Sequence, residues 1–262
     1  MKVSFITTYR RNDEYRFANL ERVIRHISTA FPDWEIVVVE QDEAGGLSLY
    51  PFAGNIKYIH AFNPGPFNKS WGMNVAFKQS SGDVLVVSDA DMIVQAEDLS
   101  RAVNACEKEL DAVRPYGQLI DMTAQQTKAY MQNSELPVNP EMALGYDRVY
   151  ASESLCLAGG LYVITREFFA RIGGMDERFS GWGGEDDAMS IKLQRLSSKV
   201  AIAKKNTLAW HLWHPRVGRY VHDGYQKNCK LLKLYQSMDE DKISKLCSQQ
   251  RETFGSVKKW RD

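Results

Sequence analysis

Charge of one sign is missing from this 262-residue chain: 33 Lys and Arg offset 33 Asp and Glu, so no net field gathers nucleic acid or a strongly anionic surface. Cysteine is sparse. Cys106, Cys156, Cys229 and Cys247 stand too far apart for paired metal-ligand spacing, so buried, reduced thiols are expected rather than disulfides or a zinc site. The start, Met1-Lys2-Val3-Ser4-Phe5-Ile6, has no long apolar run of the kind a signal peptide or anchor needs, and a cytoplasmic protein is expected. Repeats, low-complexity tracts and Pro/Gly/Ser-rich linkers are also lacking, which points to one domain with a C-terminal extension. Asn68-Lys69-Ser70 fits a glycosylation sequon, but that has meaning only in an exported chain and is discounted.

What is there alternates between strand and helix. Val3 to Thr7 is a short β-rich run, and after Asp13 the residues Phe17, Leu20, Ile24 and Ile27 are spaced as one face of a helix. Ile36 to Val39 is continuously apolar, as a parallel strand buried on both faces would be, and Ile56 to Ile59 is a weaker strand. The turn Asn63-Pro64-Gly65-Pro66 precedes a helix carrying Phe67, Trp71 and Val75. Val84 to Val87 then ends at two acids, and Leu99, Val103, Cys106 and Leu110 mark another helix. From Arg114 to Ser154 the periodicity fades, so loops and short helices shaping a pocket are expected there rather than more sheet. Leu161 to Ile164 reads as a strand, Arg166 to Ile172 as a short helix, Glu185 to Leu196 as a helix and Val200 to Ile202 as the last strand. Beyond His214 the chain is charged and helical.

Two motifs carry chemistry. Ser88-Asp89-Ala90-Asp91 follows a buried-type strand and precedes Met92-Ile93-Val94, and acids so close to a sheet need a compensating charge. A hard divalent cation on a diphosphate would supply it, whereas the motif read alone is equally a solvated turn or a helix cap. In open α/β sheets ligands bind beyond the carboxyl ends of the strands, so the first half reads as a nucleotide-binding βαβ unit. His211 and His214, in the aromatic run Ala209 to His214, are candidates to return an imidazole to that metal. An oxygen-rich site with one imidazole suits Mn²⁺, or else Mg²⁺. The second motif is Gly181-Trp182-Gly183-Gly184-Glu185-Asp186-Asp187. Three acids at a helix start are explained by the helix dipole alone. Trp182, set between glycines, adds a stacking surface for a sugar ring beside acceptors for its hydroxyls.

In order along the chain, these segments resemble the GT-A glycosyltransferases, most closely the β-1,4-galactosyltransferase and bacterial chondroitin-polymerase type. Thr7-Thr8-Tyr9-Arg10-Arg11 is similar to the family's first-strand nucleotide segment. Phe67 to Ser70 with Asn74 to Phe77 is similar to the helix before its D-x-D, and Ser88 to Asp91 to the D-x-D itself. Gly159-Gly160 and Gly181 to Asp187 resemble its F-G-G and G-W-G-G-E-D-D elements, and Trp210-His211 falls where the family binds metal. The resemblance implies a single-domain α/β fold of the GT-A type, a Rossmann-like mixed sheet flanked by helices. Residues 1–215 would form it, with a donor half to about residue 95 and an acceptor half over about 155–215. Beyond the resemblance, 216–262 reads as a helical extension: Tyr220, Tyr225, Tyr235 and several lysines suit an acceptor-closing lid over residues 215–227, whereas Leu231, Leu232, Leu234 and Tyr235 make the distal half read first as a plain amphipathic packing helix.

The implied function is inverting, metal-dependent transfer of a hexose or N-acetylhexosamine from a UDP-sugar to a saccharide hydroxyl. Asp186 would be the base, with Glu185 beside it; Asp91 and His211, or His214 in its place, would bind Mn²⁺; Thr8, Tyr9, Arg10, Arg11, Asp42, Lys69 and Asp89 would hold the nucleotide. Trp182, Asp187 and Gly160 would meet the acceptor. Leu157 stands where galactosyltransferases carry an aromatic that sizes the donor pocket, which favours an N-acetylated donor. Retaining transfer of the GalNAc-transferase type is the first alternative, since that group also carries Trp-Gly-Gly-Glu. A sugar-nucleotide nucleotidyltransferase would show a glycine-rich phosphate loop that Thr7 to Arg11 lacks, and a silent sugar-binding module would not need Asp91 and His211 together. Lys258-Lys259-Trp260-Arg261 is short enough to be merely solvated, with contact to lipid headgroups the second reading.

Overall fold

Seven consecutive buried residues form β1 (Val3–Tyr9), and Asp13 caps α1 (Glu14–Ala30) by accepting from the Arg16 N–H. The apolar face of α1 covers the sheet through Phe17, Leu20, Val23, Ile24 and Ile27. The chain continues through β2 (Glu35–Asp42), β3 (Ile56–Phe62), α2 (Lys69–Gln79), β4 (Val84–Ser88), β5 (Met92–Val94) and α3 (Ala96–Lys108). β6 (Ala112–Arg114), β7 (Gln118–Asp121), α4 (Ala124–Asn133), β8 (Leu161–Thr165), α5 (Arg166–Arg171) and α6 (Glu185–Leu196) follow. β9 (Val200–Ile202), β10 (Leu208–His211), α7 (Tyr225–Ser237) and α8 (Glu240–Arg251) complete the order. This computed structural model describes residues 1–47, 55–134, 136–137, 157–215 and 224–260.

The main sheet has seven strands in the order β3-β2-β1-β4-β8-β6-β9. β1 lies parallel to β2 and β4, and β8 runs antiparallel to β4 and β6, which makes the sheet mixed. Strands buried on both faces need helices on both, and the core accordingly splits into two clusters, one under α1 and α3, the other under α2, α5, α6 and the C-terminal helices. A second, three-stranded sheet in the order β5-β10-β7 stands beside it. It corrects two expectations: residues 114–154 were to hold loops and helices, yet β7 lies there, and β9 was to be last, yet β10 follows. Strands of three or four residues leave no period, and unlike Val200-Ala201-Ile202 of β9, Gln118 to Asp121 and Leu208 to His211 are not β-branched apolar runs that would mark them by composition. The lid expected over 215–227 falls largely on residues 216–223, outside the described residues, as does Cys156.

The C-terminal helices share the core of the rest. Tyr235, Ile243, Cys247 and Phe254 are buried with α5 and α6. Lys192, fully buried on α6, donates to the carbonyls of Ile172 and Gly174 at 3.1 and 2.8 Å and to the Gln250 side chain of α8. Cys106, Cys229 and Cys247 are free thiols, the first and last buried. Among the described residues no helix is long and apolar enough to cross a membrane.

Candidate active site

β4 ends at Ser88, and the chain turns through Asp89 to Asp91 before entering β5. Gly160 carries the structure of this turn: its carbonyl accepts the Asp89 N–H at 2.7 Å, and its φ of +77° is one that L side chains rarely adopt. A Cβ there would also lie 3.0 Å from both Met92 Cε and Tyr116 Oη. The Gly159-Gly160 element and the acidic turn are therefore one unit.

β10 pairs with β5 on one side and β7 on the other, so Met92, His211 and Asp121 stand in a row across the small sheet. Asp91 Oδ1 lies 3.5 Å from His211 Nε2, and Asp91 Oδ2 3.3 Å from His214 Nε2. One ligand atom from each of Asp91, His211 and His214 lies within 4.8 Å of the other two. The far nitrogen of each ring is occupied: His211 Nδ1 is 3.2 Å from Asp121 Oδ1, and His214 Nδ1 is 2.9 Å from the Pro215 carbonyl. Both acceptors hold a ring proton on Nδ1 and turn Nε2 of each ring toward Asp91. Trp213 holds the intervening turn, its N–H donating to Thr127 Oγ1 at 2.9 Å and its carbonyl accepting from Asn19 Nδ2 at 3.1 Å.

Burial alone would raise the Asp91 pKa, but His211 and His214 reverse this and hold the carboxyl well below its usual range. Its Oδ1 is buried without a hydrogen bond. A deprotonated carboxylate with an unsatisfied oxygen, facing Nε2 of two imidazoles, fits a divalent cation. The structure brings both histidines to Asp91, where one had been expected, and the three residues together could hold a divalent metal ion.

The second motif folds as a turn with Gly181, Gly183 and Gly184 at φ of +76°, +100° and +90°, leading into α6. Glu185, Asp186 and Asp187 occupy its first turn, where the helix dipole favours anions. Trp182 stays 41% exposed and packs at a 36° tilt against Tyr225 of α7, ring centroids 5.8 Å apart. Asn228 of α7 donates to the carbonyls of Ser180 and Trp182 at 3.0 and 3.2 Å, so the C-terminal region shapes this surface.

Lys69 joins the two motifs. Its ammonium is 2.6 Å from Asp89 Oδ1, and 2.9 and 3.0 Å from the two oxygens of Asp186. It is the first residue of α2, whose cap, Asn68, accepts from the Trp71 N–H and is itself buried; the sequon is thus not a surface feature. Burial pushes Asp186 up to about 8, with Lys69 opposing and Glu185 and Asp89 adding to the rise. Burial likewise raises Glu185 against the pull of Lys69. For Lys69 burial works the other way, but Asp186, Asp89 and Glu185 overcome it and hold the ammonium charged.

The other residues expected to touch the nucleotide lie at and beyond the ends of β1 and β2 and make contacts within the protein. The Thr8 hydroxyl donates to the Val39 carbonyl at 3.1 Å and accepts from Gln41 Nε2 at 2.8 Å. Arg10 spends Nε, Nη1 and Nη2 on the carbonyls of Gln41, Gly65 and Asn63 at 2.7, 2.7 and 3.0 Å. Both are engaged within the protein, bracing the strand ends. Tyr9 is buried, Arg11 is exposed over the Phe17 ring, and Asp42 accepts from the Glu43 N–H at the end of β2. Two residues were not anticipated. Asp121 had no local signal, since only the β10–β7 register sets it beside His211. Tyr162 is buried on β8 with an unpartnered hydroxyl, in the electrostatic neighbourhood of Asp186, Lys69 and Asp89.

Comparison with known proteins gives two family matches: "Glycosyl transferase family 2" over residues 5–139 and "N-terminal domain of galactosyltransferase" over residues 145–216. The chain is 34% identical over 83 residues to N-acetylgalactosaminyltransferase 6 of Drosophila melanogaster, covering 29% of this chain and 12% of that protein. It is 29% identical over 86 residues to mouse beta-1,4-galactosyltransferase 4, covering 30% of this chain and 22% of that protein. The chain thus spans a minor part of these relatives. Among solved structures, GalNAc-T7 with UDP, GalNAc and Mn²⁺ matches at a TM-score of 0.63 and 15% identity, over 95% of this chain and 55% of that one. Staphylococcus aureus TarS 1-349 with UDP-GlcNAc matches at 0.59 and 16%, over 95% and 71%. At such identities the likeness establishes the fold, which is that of the GT-A glycosyltransferases.

Proposed function

The chain belongs to glycosyl transferase family 2, and from that premise we propose that it transfers a hexose or N-acetylhexosamine from a UDP-sugar to a saccharide hydroxyl, with inversion. The observation that carries this reading is the meeting of two acid sets across Lys69: Asp89 with the Asp91, His211 and His214 cluster on one side, Glu185 and Asp186 beside Trp182 on the other. The UDP and Mn²⁺ bound in GalNAc-T7, and the UDP-GlcNAc bound in TarS, support the choice of donor and metal.

Asp91, His211 and His214 would hold Mn²⁺, which when bound supplies Lewis-acid neutralisation of the departing diphosphate. Asp89, Arg11 and Asp42, at the carboxyl ends of parallel strands, line the side where a nucleotide binds such sheets. Trp182 and Asp187 offer a ring face and an acceptor oxygen to the incoming saccharide. Asp186 takes the proton of the attacking hydroxyl as that oxygen bonds the anomeric carbon and the bond to UDP breaks. A base must be ionised to act: burial and the neighbouring acids raise Asp186 to about 8 against the pull of Lys69, so its ionised fraction grows as the pH rises toward and past that value.

The test is Asp186→Asn. The account requires at least a hundredfold loss of turnover, about 2.7 kcal/mol of barrier, with UDP and Mn²⁺ affinity kept. Turnover near wild type in a folded variant would remove Asp186 from this role. Retaining transfer stands as the second reading because of the similarity to N-acetylgalactosaminyltransferase 6. NMR of the product's anomeric configuration separates the two.

A further inference from the structure

Asp186 is surrounded by groups that disfavour its ionised form. Burial disfavours it most, the charges of Glu185 on α6 and Asp89 beyond β4 add to this, and Asp187 and the uncharged Tyr162 hydroxyl of β8 stand nearby. Against them stands Lys69 of α2, which contacts both Asp186 oxygens and Asp89 at once. Its side chain is 12% exposed, so solvent does little to screen it.

Given that Asp186 is the acceptor base, as proposed above, we infer that Lys69 is a positioning residue: its ammonium favours the ionised form of Asp186 and aims it between donor and acceptor. Two features of the geometry require a cation here. An acid pair as close as Asp89 and Asp186, bridged by one ammonium, repels itself once the bridge is removed, and the cheapest relief is protonation of the more buried member. The contact to both Asp186 oxygens also holds the carboxylate in position. Lys69 is itself well placed for this work, because it opens α2 and the Asn68 cap holds the start of that helix against Glu177 and Gln41.

The measurement is the pH profile of kcat/KM for Lys69→Gln and Lys69→Arg beside wild type, with Lys69→Met as a second uncharged variant should Gln fail to fold. A base works when ionised, so activity falls on the acid side of its pKa, and losing the cation raises that pKa. The acid limb should move upward by about one pH unit or more in the uncharged variants, a tenfold loss below both limbs per unit. Lys69→Arg should leave the limb where it is in wild type. A limb that stays in place while activity falls evenly at all pH overturns the proposal and assigns Lys69 a structural role. An NMR titration of ¹³C-labelled aspartates, with the Asp186 signal identified by its loss in Asp186→Asn, reads the same shift without turnover. If Asp186→Asn is inactive and the Asp186 signal is unmoved by Lys69→Gln, the base stands and Lys69's role alone falls. If Asp186→Asn is fully active, the base assignment falls and this inference with it.

Discussion

Asp121→Ala should weaken Mn²⁺ binding although Asp121 is outside the three-residue ligand cluster. The carboxylate is 5% exposed and sits 3.2 Å from His211 Nδ1, directly across the β10–β7 register. Without it, Nδ1 loses its acceptor, the imidazole is free to take the other tautomer, and the proton can move to the nitrogen that faces Asp91. Carboxylates that hold a metal-binding histidine in this way contribute about ten- to a hundredfold in affinity, or about 1.4–2.7 kcal/mol. Asp121→Asn keeps an oxygen that can accept from Nδ1 but loses the charge, so its loss should fall between wild type and Asp121→Ala. Calorimetric titration of the metal-free protein with Mn²⁺ measures this without turnover, and circular dichroism checks the fold. Affinity within twofold of wild type in a folded Asp121→Ala would refute the reasoning, since it would mean that His211 needs no orienting partner or binds no metal.

Two further outcomes follow from packing and exposure. A Cβ on Gly72 would lie 2.0 Å from Thr8 Oγ1 and 2.4 Å from Gln41 Nε2, so Gly72→Ala should cost about 2–3 kcal/mol and lower Tm by roughly 5–10 °C in thermal unfolding. Trp182→Ala removes an exposed stacking face and should raise the acceptor KM by about three- to tenfold in initial-rate kinetics while leaving the donor KM unchanged.

The long strands were legible because they are buried on both faces and read as unbroken apolar runs, Ile36 to Val39 and Val84 to Val87. α1 and α3 announced themselves by period, and α1 also by the Asp13 cap. The small sheet was not legible, since β5, β7 and β10 are short and are assembled by pairing between segments far apart in the chain. With it went Asp121, whose role arises from a pairing between segments 90 residues apart. The joint use of His211 and His214 was hidden by spacing. Residues three apart on a strand face opposite ways, but the chain leaves β10 at His211, so His214 can turn back to the same carboxylate. Lys69 was read as a nucleotide contact because its motif neighbours pointed there; its bridge between Asp89 and Asp186 depends on how α2, β4 and α6 converge. Thr8 and Arg10 also hydrogen-bond backbone carbonyls of β2 and beyond β3, contacts that depend on the pairing of distant segments and leave no mark in the sequence.

UDP release from UDP-Gal, UDP-GalNAc, UDP-Glc, UDP-GlcNAc and UDP-GlcA, followed in metal-free protein with and without added Mn²⁺, tests the central claim most directly. The account predicts release from at least one of these donors, dependent on Mn²⁺, and lost in Asp91→Ala. Release that proceeds equally without metal, or that survives Asp91→Ala, would contradict it, and so would the absence of release from every donor in the presence of saccharide acceptors.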